Sequence, residues 1–299
     1  MEKFDKIIFG CGNFGGIGSI PELRSHGENE AQAHCLLDEA RRRGIFQFDT
    51  ANTYGGGASE VMLGRWLAKQ EADFRNKVRI STKVGNPAGL TVGDRPLSRK
   101  EISFHVERSL RRLGRECIDV YYLHEPDRQT PMDETLEALR ISMERGDVGC
   151  IGLSNVDAAY VQAFLAAADD KIREKVRYVQ NEFNLLQQRD REHLFPLLER
   201  NSISYVAYSP LAGGLLSGKY RLNEPAPVGS RLNLRPTPYL NYLTLSTFET
   251  VDGLLRSAEQ QNSTASAMAL QHVLRTSGVC AAVIGPRRKE HFEVLNFEL

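Results

Sequence analysis

The chain has 299 residues, 41% of them apolar, and its 38 acidic side chains balance its 38 basic ones. A chain of this length buries roughly three quarters of the surface that its unfolded form exposes, so its core needs neither disulfides nor a structural metal. Zero formal charge without a Lys/Arg run excludes the electrostatic signature of a dedicated nucleic-acid or anionic-membrane binder. The expected partners are therefore small molecules.

The sequence shows no pattern typical of a targeting signal. Its start, MEKFDKIIFGCGNFGG, lacks the basic-then-apolar layout of a signal peptide, and no stretch approaches the ~20 apolar residues of a membrane span. We therefore expect a cytoplasmic protein. The cysteines are odd in number and show no CxxC spacing, which predicts buried, reduced thiols rather than disulfides or metal ligands: Cys11, Cys35, Cys117, Cys150 and Cys280.

Short β-branched or aromatic runs alternate with stretches of helical period from one end of the chain to the other. Eight of these runs are predicted strands, at residues 6–10, 45–49, 78–84, 117–124, 148–154, 176–182, 204–209 and 279–285. Eight strands, each followed by a helix, fit either a closed (β/α)8 TIM barrel or an open doubly wound sheet. Even spacing without a break in composition favours the barrel, built as one domain over residues 1–299.

Helix signals fall between the predicted strands. Ala33, Leu36, Leu37 and Ala40 share one helical face, and the same spacing recurs further along the chain. Predicted N-caps are Ser98, which has Glu101 at capping-box spacing, Thr130, which precedes a proline, and Asp157. A long irregular piece from about Leu211 to Leu245 interrupts the pattern, and a loop of that length inside a compact domain is usually functional.

The segment GCGNFG spells GxGxxG directly after the first predicted strand, using Gly10, Gly12 and Gly15. A Rossmann site needs a helix to open at these glycines, so that its N-terminus meets the pyrophosphate. Here Pro21 and further glycines precede any helical period, which begins near Glu28. We therefore interpret the segment as a turn and not as a dinucleotide-binding loop.

Polar residues close several predicted strands, and the carboxyl ends of parallel barrel strands form the rim where active sites lie. The second strand ends at Asp49, with Tyr54 five residues later; Lys83 lies near the end of the third, and His124 ends the fourth. Each residue alone has an ordinary structural role. Together they have a chemical use, because an ammonium beside a phenol lowers the tyrosine pKa and a carboxylate keeps the lysine charged. Such a tyrosine exchanges a proton with a carbonyl or alcohol oxygen.

The motifs FDTANTYGGGASE, STKVG, YYLHEPD, GLSN, QNEFN, YSPLAGGLLSGKY and IGPRR closely resemble the aldo-keto reductase superfamily. They run in order from Gly10 to about Glu293, and the nearest branch resembled is the aryl-alcohol-dehydrogenase-like or potassium-channel-β-like one. The resemblance implies a TIM barrel that binds NADPH without a Rossmann fold and reduces an aldehyde or ketone by hydride transfer. It also implies a catalytic tetrad: Tyr54 as proton donor, Lys83 and Asp49 tuning its pKa, and His124 orienting the substrate carbonyl.

Cofactor contacts follow from the same resemblance. Ser154, Asn155 and Gln180 match positions that bind the carboxamide, and Tyr208 matches an aromatic stacked on the nicotinamide. The loop that wraps the pyrophosphate corresponds to Ser209, Leu211, Gly213, Ser217 and Lys219. Gly285, Arg287 and Arg288 match the segment that receives the adenosine 2'-phosphate, and two adjacent guanidiniums favour NADP over NAD. His291 and Leu295 depart from the Gln and Asn that relatives use as adenine contacts.

The expected substrate pocket contains Asn13, Phe14, Tyr54 and Glu125, with the loop of residues 86–96 and part of residues 220–242. Arginines in the latter segment (Arg221, Arg231 and Arg235) leave an aryl aldehyde, a sugar-derived ketone and an acidic carbonyl compound open as substrates. One alternative function remains, an NADP(H)-binding regulatory subunit that senses redox state with little turnover. A metal-dependent hydrolase is disfavoured, because the histidines lack ligand spacing.

Overall fold

The computed structural model describes residues 3–89 and 95–298. Eight parallel strands close into a barrel in which each strand pairs with its neighbours along the chain and β1 also pairs with β8. The predicted (β/α)8 barrel is confirmed, and each strand boundary lies within two residues of the sequence prediction. The strands are β1 Ile7–Gly10, β2 Gln47–Asp49, β3 Arg79–Val84, β4 Ile118–Leu123, β5 Val148–Ser154, β6 Val176–Glu182, β7 Ser204–Tyr208 and β8 Val279–Ile284.

Helices surround the barrel. They are α1 Glu30–Arg42, α2 Ala58–Ala68, α3 Ala72–Lys77, α4 Arg99–Leu113, α5 Met132–Glu144, α6 Ala158–Ala167, α7 Asp170–Lys175, α8 Asp190–Arg200, α9 Arg231–Leu234, α10 Leu245–Gln260 and α11 Ala265–Arg275. Short 3-10 turns occupy Lys3–Lys6, Pro21–Leu23, Tyr54–Gly57, Pro87–Gly89, Ala212–Ser217, Thr237–Tyr242 and Lys289–Leu295. Within the described ranges, no helix is both long and apolar enough to cross a membrane.

Alternation along the strands decides which residues enter the barrel. On β2, Phe48 points outward, with its ring 5.4 Å from that of Trp66 on α2, so the neighbouring Asp49 points inward. On β3, Thr82 donates a hydrogen bond to Glu60 of α2 over 2.7 Å, which places Lys83 on the opposite, inner face. The apolar helix layer thus forces two charged side chains into the barrel interior.

Two of the three predicted N-caps form as expected. The Ser98 side chain accepts from Glu101 N, and the Asp157 side chain accepts from Tyr160 N. The prediction for Thr130 is wrong, since α5 begins at Met132 and its N-cap is Pro131. The Thr130 hydroxyl donates instead to Asp127 Oδ2, at 2.5 Å, because that carboxylate organises the turn before the helix.

The long connection after β7 is ordered by a small apolar core of its own. Leu216, Tyr220, Tyr239, Phe248 and Val251 are buried together there, separately from the main cluster between barrel and helices. Burying this apolar surface holds the connection in place over the C-terminal end of the barrel. The connection therefore acts as a packed lid over one side of the rim.

The cysteines are all free, and four of the five are at least partly buried. Cys35 is exposed, contrary to the prediction of buried thiols. The reason is its phase on α1, because it lies one position away from the face formed by Ala33, Leu36, Leu37 and Ala40.

Two helical glycines give a test of this packing. A Cβ on Gly64 of α2 would lie 2.2 Å from the Arg112 carbonyl oxygen of α4, whereas on Gly253 of α10 its nearest neighbour would be 3.9 Å away. We expect Gly64→Ala to lower the free energy of unfolding by about 1–3 kcal/mol through overpacking. Gly253→Ala should raise it by about 0.5–1 kcal/mol, since alanine is the better helix former. Urea unfolding measures both, and equal effects of one sign would contradict the α2–α4 contact.

Candidate active site

A cleft of ≈ 1990 Å³ opens at the carboxyl ends of the barrel strands. It exceeds the roughly 300–1,000 Å³ of an ordinary small-molecule pocket, so it has room for two ligands or one long one. Neutral and acidic polar groups line one end, among them Asp49, Tyr54, His124 and Gln180. Lys219, Arg287 and Arg288 line the other.

A buried ion pair lies at the floor of the cleft. Lys83 Nζ is 2.5 Å from Asp49 Oδ2 and also donates to the Thr50 carbonyl oxygen over 2.8 Å. The second carboxylate oxygen of Asp49 accepts from Ser81 Oγ at 2.7 Å and from Gln180 Nε2 at 3.1 Å. Burial alone would lower the pKa of Lys83, but the charge of Asp49 and the Tyr54 phenol outweigh it and raise that pKa. The lysine therefore stays charged.

Tyr54 stands above this pair in the cleft wall. Lys83 Nζ lies 5.2 Å from the centre of its ring, and the His124 ring meets it edge-on with centroids 5.7 Å apart. Burial raises the pKa of Tyr54, against which the charge of Lys83 acts. The net direction is opposite to the sequence expectation, because desolvation of the phenolate outweighs the ammonium. Tyr54 is therefore a protonated phenol near neutral pH, which suits a proton donor.

The turn that carries Tyr54 is held from behind by α4. Arg112 donates to the Asn52 carbonyl oxygen at 3.1 Å and to the buried Glu60 carboxylate at 3.0 Å. Its guanidinium also packs against Gly57, where an added Cβ would fall 2.4 Å from it. Gly57 has φ 97, a left-handed conformation that a side chain would strain. The phenol is thus positioned by a salt bridge between helices.

His124 follows β4 and is 7% exposed. Burial first, and then the nearby charge of Lys83, lower the pKa of His124 to about 3. The imidazole is consequently neutral over the physiological range. Its Nδ1 has no hydrogen-bond partner within residues 3–89 and 95–298. Because Nδ1 is buried, the nitrogen left to meet a ligand in the cleft is Nε2.

Three predicted carboxamide-binding residues lie next to this cluster. Ser154 Oγ donates to the Gln180 carbonyl oxygen at 2.7 Å, and Asn155 Nδ2 donates to the His124 carbonyl oxygen at 2.8 Å. The Tyr208 hydroxyl donates to Asn155 Oδ1 at 2.6 Å. Asn155 has φ 58, an unusual conformation for a residue with a side chain and one that functional sites often contain.

The turn after β7 brings small residues and a cation to the end of the cleft away from Tyr54. Ser209, Ala212, Gly213 and Gly214 all have positive φ, and successive turns of this kind direct backbone N–H groups toward an anion. Lys219 Nζ lies against Gly214, 2.8 Å from the position that a Cβ there would occupy. Apart from Ala212, which is buried, these residues line the cleft together with Leu211 and Ser217.

The two adjacent arginines after β8 have different surroundings. Arg287 Nε donates to the buried Glu28 carboxylate over 2.6 Å, and its other nitrogens bond the His26 and Gly229 carbonyl oxygens. Arg288 is exposed, and its described contact is with the His291 ring at 3.4 Å. Arg287 is therefore neutralised and structural in part, and Arg288 is the guanidinium open to a ligand. Gly285 also lines the cleft beside them.

The predicted substrate residues are divided between the cleft and the core. Asn13 and Glu125 line the cleft. Phe14 does not, since it is 1% exposed and its ring packs 5.8 Å from that of Phe9. Of the three candidate arginines, Arg231 and Arg235 line the cleft, whereas Arg221 bonds carbonyl oxygens of its own loop. The predicted wall at 86–96 falls partly outside the described residues, at 90–94.

Several site residues escaped the sequence analysis. Ser81 shares the inner face of β3 with Lys83 and pairs in register with Asp49, so alternation along the strand is a signal for it. Glu182 lies in the cleft lining at the end of β6 and was reachable by the same rule. Glu28 gave no signal, because its partner Arg287 is far away in sequence. Across the described residues, no three His, Cys, Asp or Glu side chains are grouped to hold a metal.

Comparison with known proteins gives matches over most of the chain. A model of the Aldo/keto reductase family matches residues 6–297. L-glyceraldehyde 3-phosphate reductase of Escherichia coli K12 is 32% identical over 296 residues, covering 94% of this chain and 80% of that protein. A probable voltage-gated potassium channel subunit beta of Arabidopsis thaliana is 31% identical, with coverages of 88% and 80%. Among solved structures, a glycerol dehydrogenase from Gluconobacter oxydans has a TM-score of 0.78 at 26% identity, covering 98% of this chain and 87% of that one.

The neutrality of His124 predicts a pH dependence of stability. Unfolded His124 takes up a proton as the pH falls through its ordinary pKa near 6.5, whereas the folded residue does so only near 3. The unfolded state binds more protons in this window, so the free energy of unfolding falls as the pH falls through it. Between about pH 7 and about pH 5, the wild type should lose about 2 kcal/mol more than His124→Gln. Denaturant unfolding at the two pH values measures this, and parallel losses would contradict a neutral, buried His124.

Proposed function

The chain belongs to the aldo/keto reductase family, and on that premise we propose that it is an NADPH-dependent oxidoreductase that reversibly reduces an aldehyde or ketone to an alcohol. The observation that carries the proposal is the group formed by Asp49, Lys83, Tyr54 and His124 at the floor of the cleft. It combines a protonated phenol, a fixed ammonium and a neutral imidazole, which suits protonation of a carbonyl oxygen.

The polar lining of the cleft fits a nicotinamide dinucleotide phosphate. Ser154, Asn155 and Gln180 offer amide and hydroxyl groups for the carboxamide, and Tyr208 offers a ring beside it. The positive-φ turn with Ser209, Leu211, Gly213 and Ser217 and the cation of Lys219 suit the pyrophosphate. Gly285, Arg287 and Arg288 suit the 2'-phosphate. When bound, the reduced coenzyme supplies the hydride.

Within the chain, the proton path begins at the Tyr54 hydroxyl. As the carbonyl becomes an alkoxide, Tyr54 donates its proton to that oxygen, and the nearby Lys83 ammonium stabilises the phenolate left behind. Asp49 fixes the lysine in place, and Ser81 and Gln180 fix Asp49. His124, being neutral, orients the same oxygen without competing for the proton. Oxidation of an alcohol runs the path in reverse.

The relatives support small polar substrates. One is called a glyceraldehyde 3-phosphate reductase and another a glycerol dehydrogenase. Both names describe chemistry at a short, hydroxylated carbon chain. We infer that a compact polar carbonyl compound is the substrate class, in keeping with the polar groups Asn13 and Glu125 in the cleft.

Removing the Tyr54 hydroxyl tests the proposed acid. We expect Tyr54→Phe to lower kcat by about 10²- to 10⁴-fold, the usual contribution of a general acid, while the dissociation constant for NADPH changes little. Tyr122→Phe is the matched control, because that ring lies 5.9 Å from Lys83 Nζ but is 2% exposed inside the barrel. It should retain activity. Steady-state kinetics and fluorescence titration with NADPH measure the two quantities.

The likeness to a potassium channel β subunit gives a second candidate function, a redox-sensing regulatory subunit. It predicts tight NADPH binding with negligible turnover of any carbonyl compound. A wild type that binds NADPH but oxidises it no faster than Tyr54→Phe with every aldehyde and ketone tested would favour this role. Turnover that Tyr54→Phe abolishes favours the enzyme. Wild-type rates retained by Tyr54→Phe would reject the proposed acid.

Coenzyme preference tests the 2'-phosphate site. Because Arg288 is the open guanidinium, Arg288→Gln should weaken NADPH binding by about tenfold and leave NADH binding nearly unchanged. Lys289→Gln is the matched control, since the neighbouring exposed cation is not part of the cleft lining. Titration with both coenzymes measures the preference. An equal loss for NADH and NADPH would place the 2'-phosphate elsewhere.

A further inference from the structure

Arg235 occupies a distinctive place at the C-terminal end of α9. Its guanidinium lies over Gly18, with Nη1 2.9 Å from the position that a Cβ there would occupy. Gly18 is tied to the turn that carries the proposed acid, because its carbonyl oxygen accepts from Gly55 N at 3.0 Å. Gly18 N in turn donates to Gly12 O at 2.7 Å, and Gly12 packs against the Tyr54 ring. Arg235 therefore lies beside Tyr54, on the wall of the cleft.

The charge of Arg235 acts on the reactive end of the cleft. Burial raises the pKa of Glu125, and Arg235 is the charge that opposes this increase. Burial also raises the pKa of Tyr54. The charge of Lys83 opposes this increase most, and the charge of Arg235 opposes it to a smaller extent. The side chain is half-buried, and within residues 3–89 and 95–298 no carboxylate lies at ion-pair distance from it. A guanidinium in this position can bind an oxyanion that enters the cleft.

Two other arginines of the cleft, Arg231 and Arg287, have partners of their own. Arg231 donates to Asn13 Oδ1 at 2.5 Å, and the charged groups that act on it are Arg235, then Arg287 and Glu28. Arg287 is paired with Glu28. Both guanidiniums therefore already have a hydrogen-bond partner within the chain. Arg235 alone among these three has charged and polar neighbours, Tyr54 and Glu125, that belong to the reactive end.

We propose that the carbonyl substrate carries an anionic group, a carboxylate or a phosphate. The Arg235 guanidinium binds this group while Tyr54 donates its proton to the carbonyl oxygen. The inference rests on the proposed reductase function and names its substrate class. A guanidinium offers paired donors that match either anion, so the shared chemistry is a planar or tetrahedral oxyanion. Because Arg235 lies beside the turn of Tyr54, the anion belongs a few bonds from the reacting carbon.

Glu125 limits the preference for anionic substrates that Arg235 would give. Its carboxyl lies in the same part of the cleft and accepts from Asn86 Nδ2 at 3.1 Å. When ionised, it repels a substrate anion and partly offsets the attraction of Arg235. Neutralising it with Glu125→Gln should therefore strengthen the preference for anionic substrates. The two residues act in opposite directions on one measured ratio.

Matched substrate pairs test the inference by kinetics with NADPH. One arm compares glyceraldehyde 3-phosphate with glyceraldehyde, and the other compares 4-carboxybenzaldehyde with 4-methylbenzaldehyde, which distinguishes phosphate from carboxylate. In at least one arm, kcat/KM should favour the anion about tenfold or more. Arg235→Gln should abolish that preference through KM, and Arg235→Lys should restore part of it. Arg221→Gln is the matched control, since among the described residues its guanidinium bonds the Gly218 and Tyr220 carbonyl oxygens and lies outside the cleft lining.

A binding arm separates this inference from the proposed function. Calorimetry on the protein loaded with NADP+ compares glycerol 3-phosphate with glycerol, and 4-carboxybenzyl alcohol with 4-methylbenzyl alcohol. Turnover of neutral aldehydes with no anion preference in either assay overturns the inference and leaves the reductase intact. Absence of all turnover rejects the reductase, and the binding arm then decides whether Arg235 binds anions. A preference that Arg235→Gln leaves unchanged also overturns the inference.

Discussion

The buried pair between Asp49 and Lys83 is the interaction on which the rest of the site depends. Two charges inside a barrel are stable only when each has its remaining hydrogen bonds satisfied, and here Thr50, Ser81 and Gln180 supply them. Removing one partner would leave an uncompensated charge at a cost of about 3–5 kcal/mol. The same pair sets the electrostatics of the cleft, because its ammonium is the charge nearest the Tyr54 phenol and the His124 ring.

Protonation states at the floor of the cleft follow from that one cation together with burial. Desolvation opposes a charged phenolate and a charged imidazole, and Lys83 further opposes the imidazolium. The resting site therefore holds one ammonium, one carboxylate, a neutral phenol and a neutral imidazole. In this state the phenol can donate its proton. The Lys83 ammonium is already in place to stabilise the phenolate that loss of the proton leaves. The part of the proposed reaction that this chain's own side chains supply is thus the transfer of one proton from Tyr54.

Local sequence patterns predicted the barrel and the polar residues at the ends of its strands. They did not predict contacts between residues far apart in the sequence. Strand alternation and the position of Asp49, Lys83 and His124 at strand ends are properties of neighbouring residues, so the sequence displays them directly. The pairing of Arg287 with Glu28 depends on how two distant segments meet, and nothing local marks it. The placement of Phe14 in the core and the direction of the Tyr54 pKa depend on burial, which spacing alone does not give.

The division between barrel and lid separates the buried ion pair from the charge of Arg235. Asp49, Lys83 and His124 lie on or directly after strands whose hydrogen-bonded register fixes their positions. Arg235 instead belongs to the long connection after β7, which packs on an apolar core of its own. Changes in that connection can alter charge and shape above Tyr54 without disturbing the barrel, because the two cores are separate. The proposed anion contact therefore belongs to the lid, whereas the ion pair beneath Tyr54 belongs to the barrel.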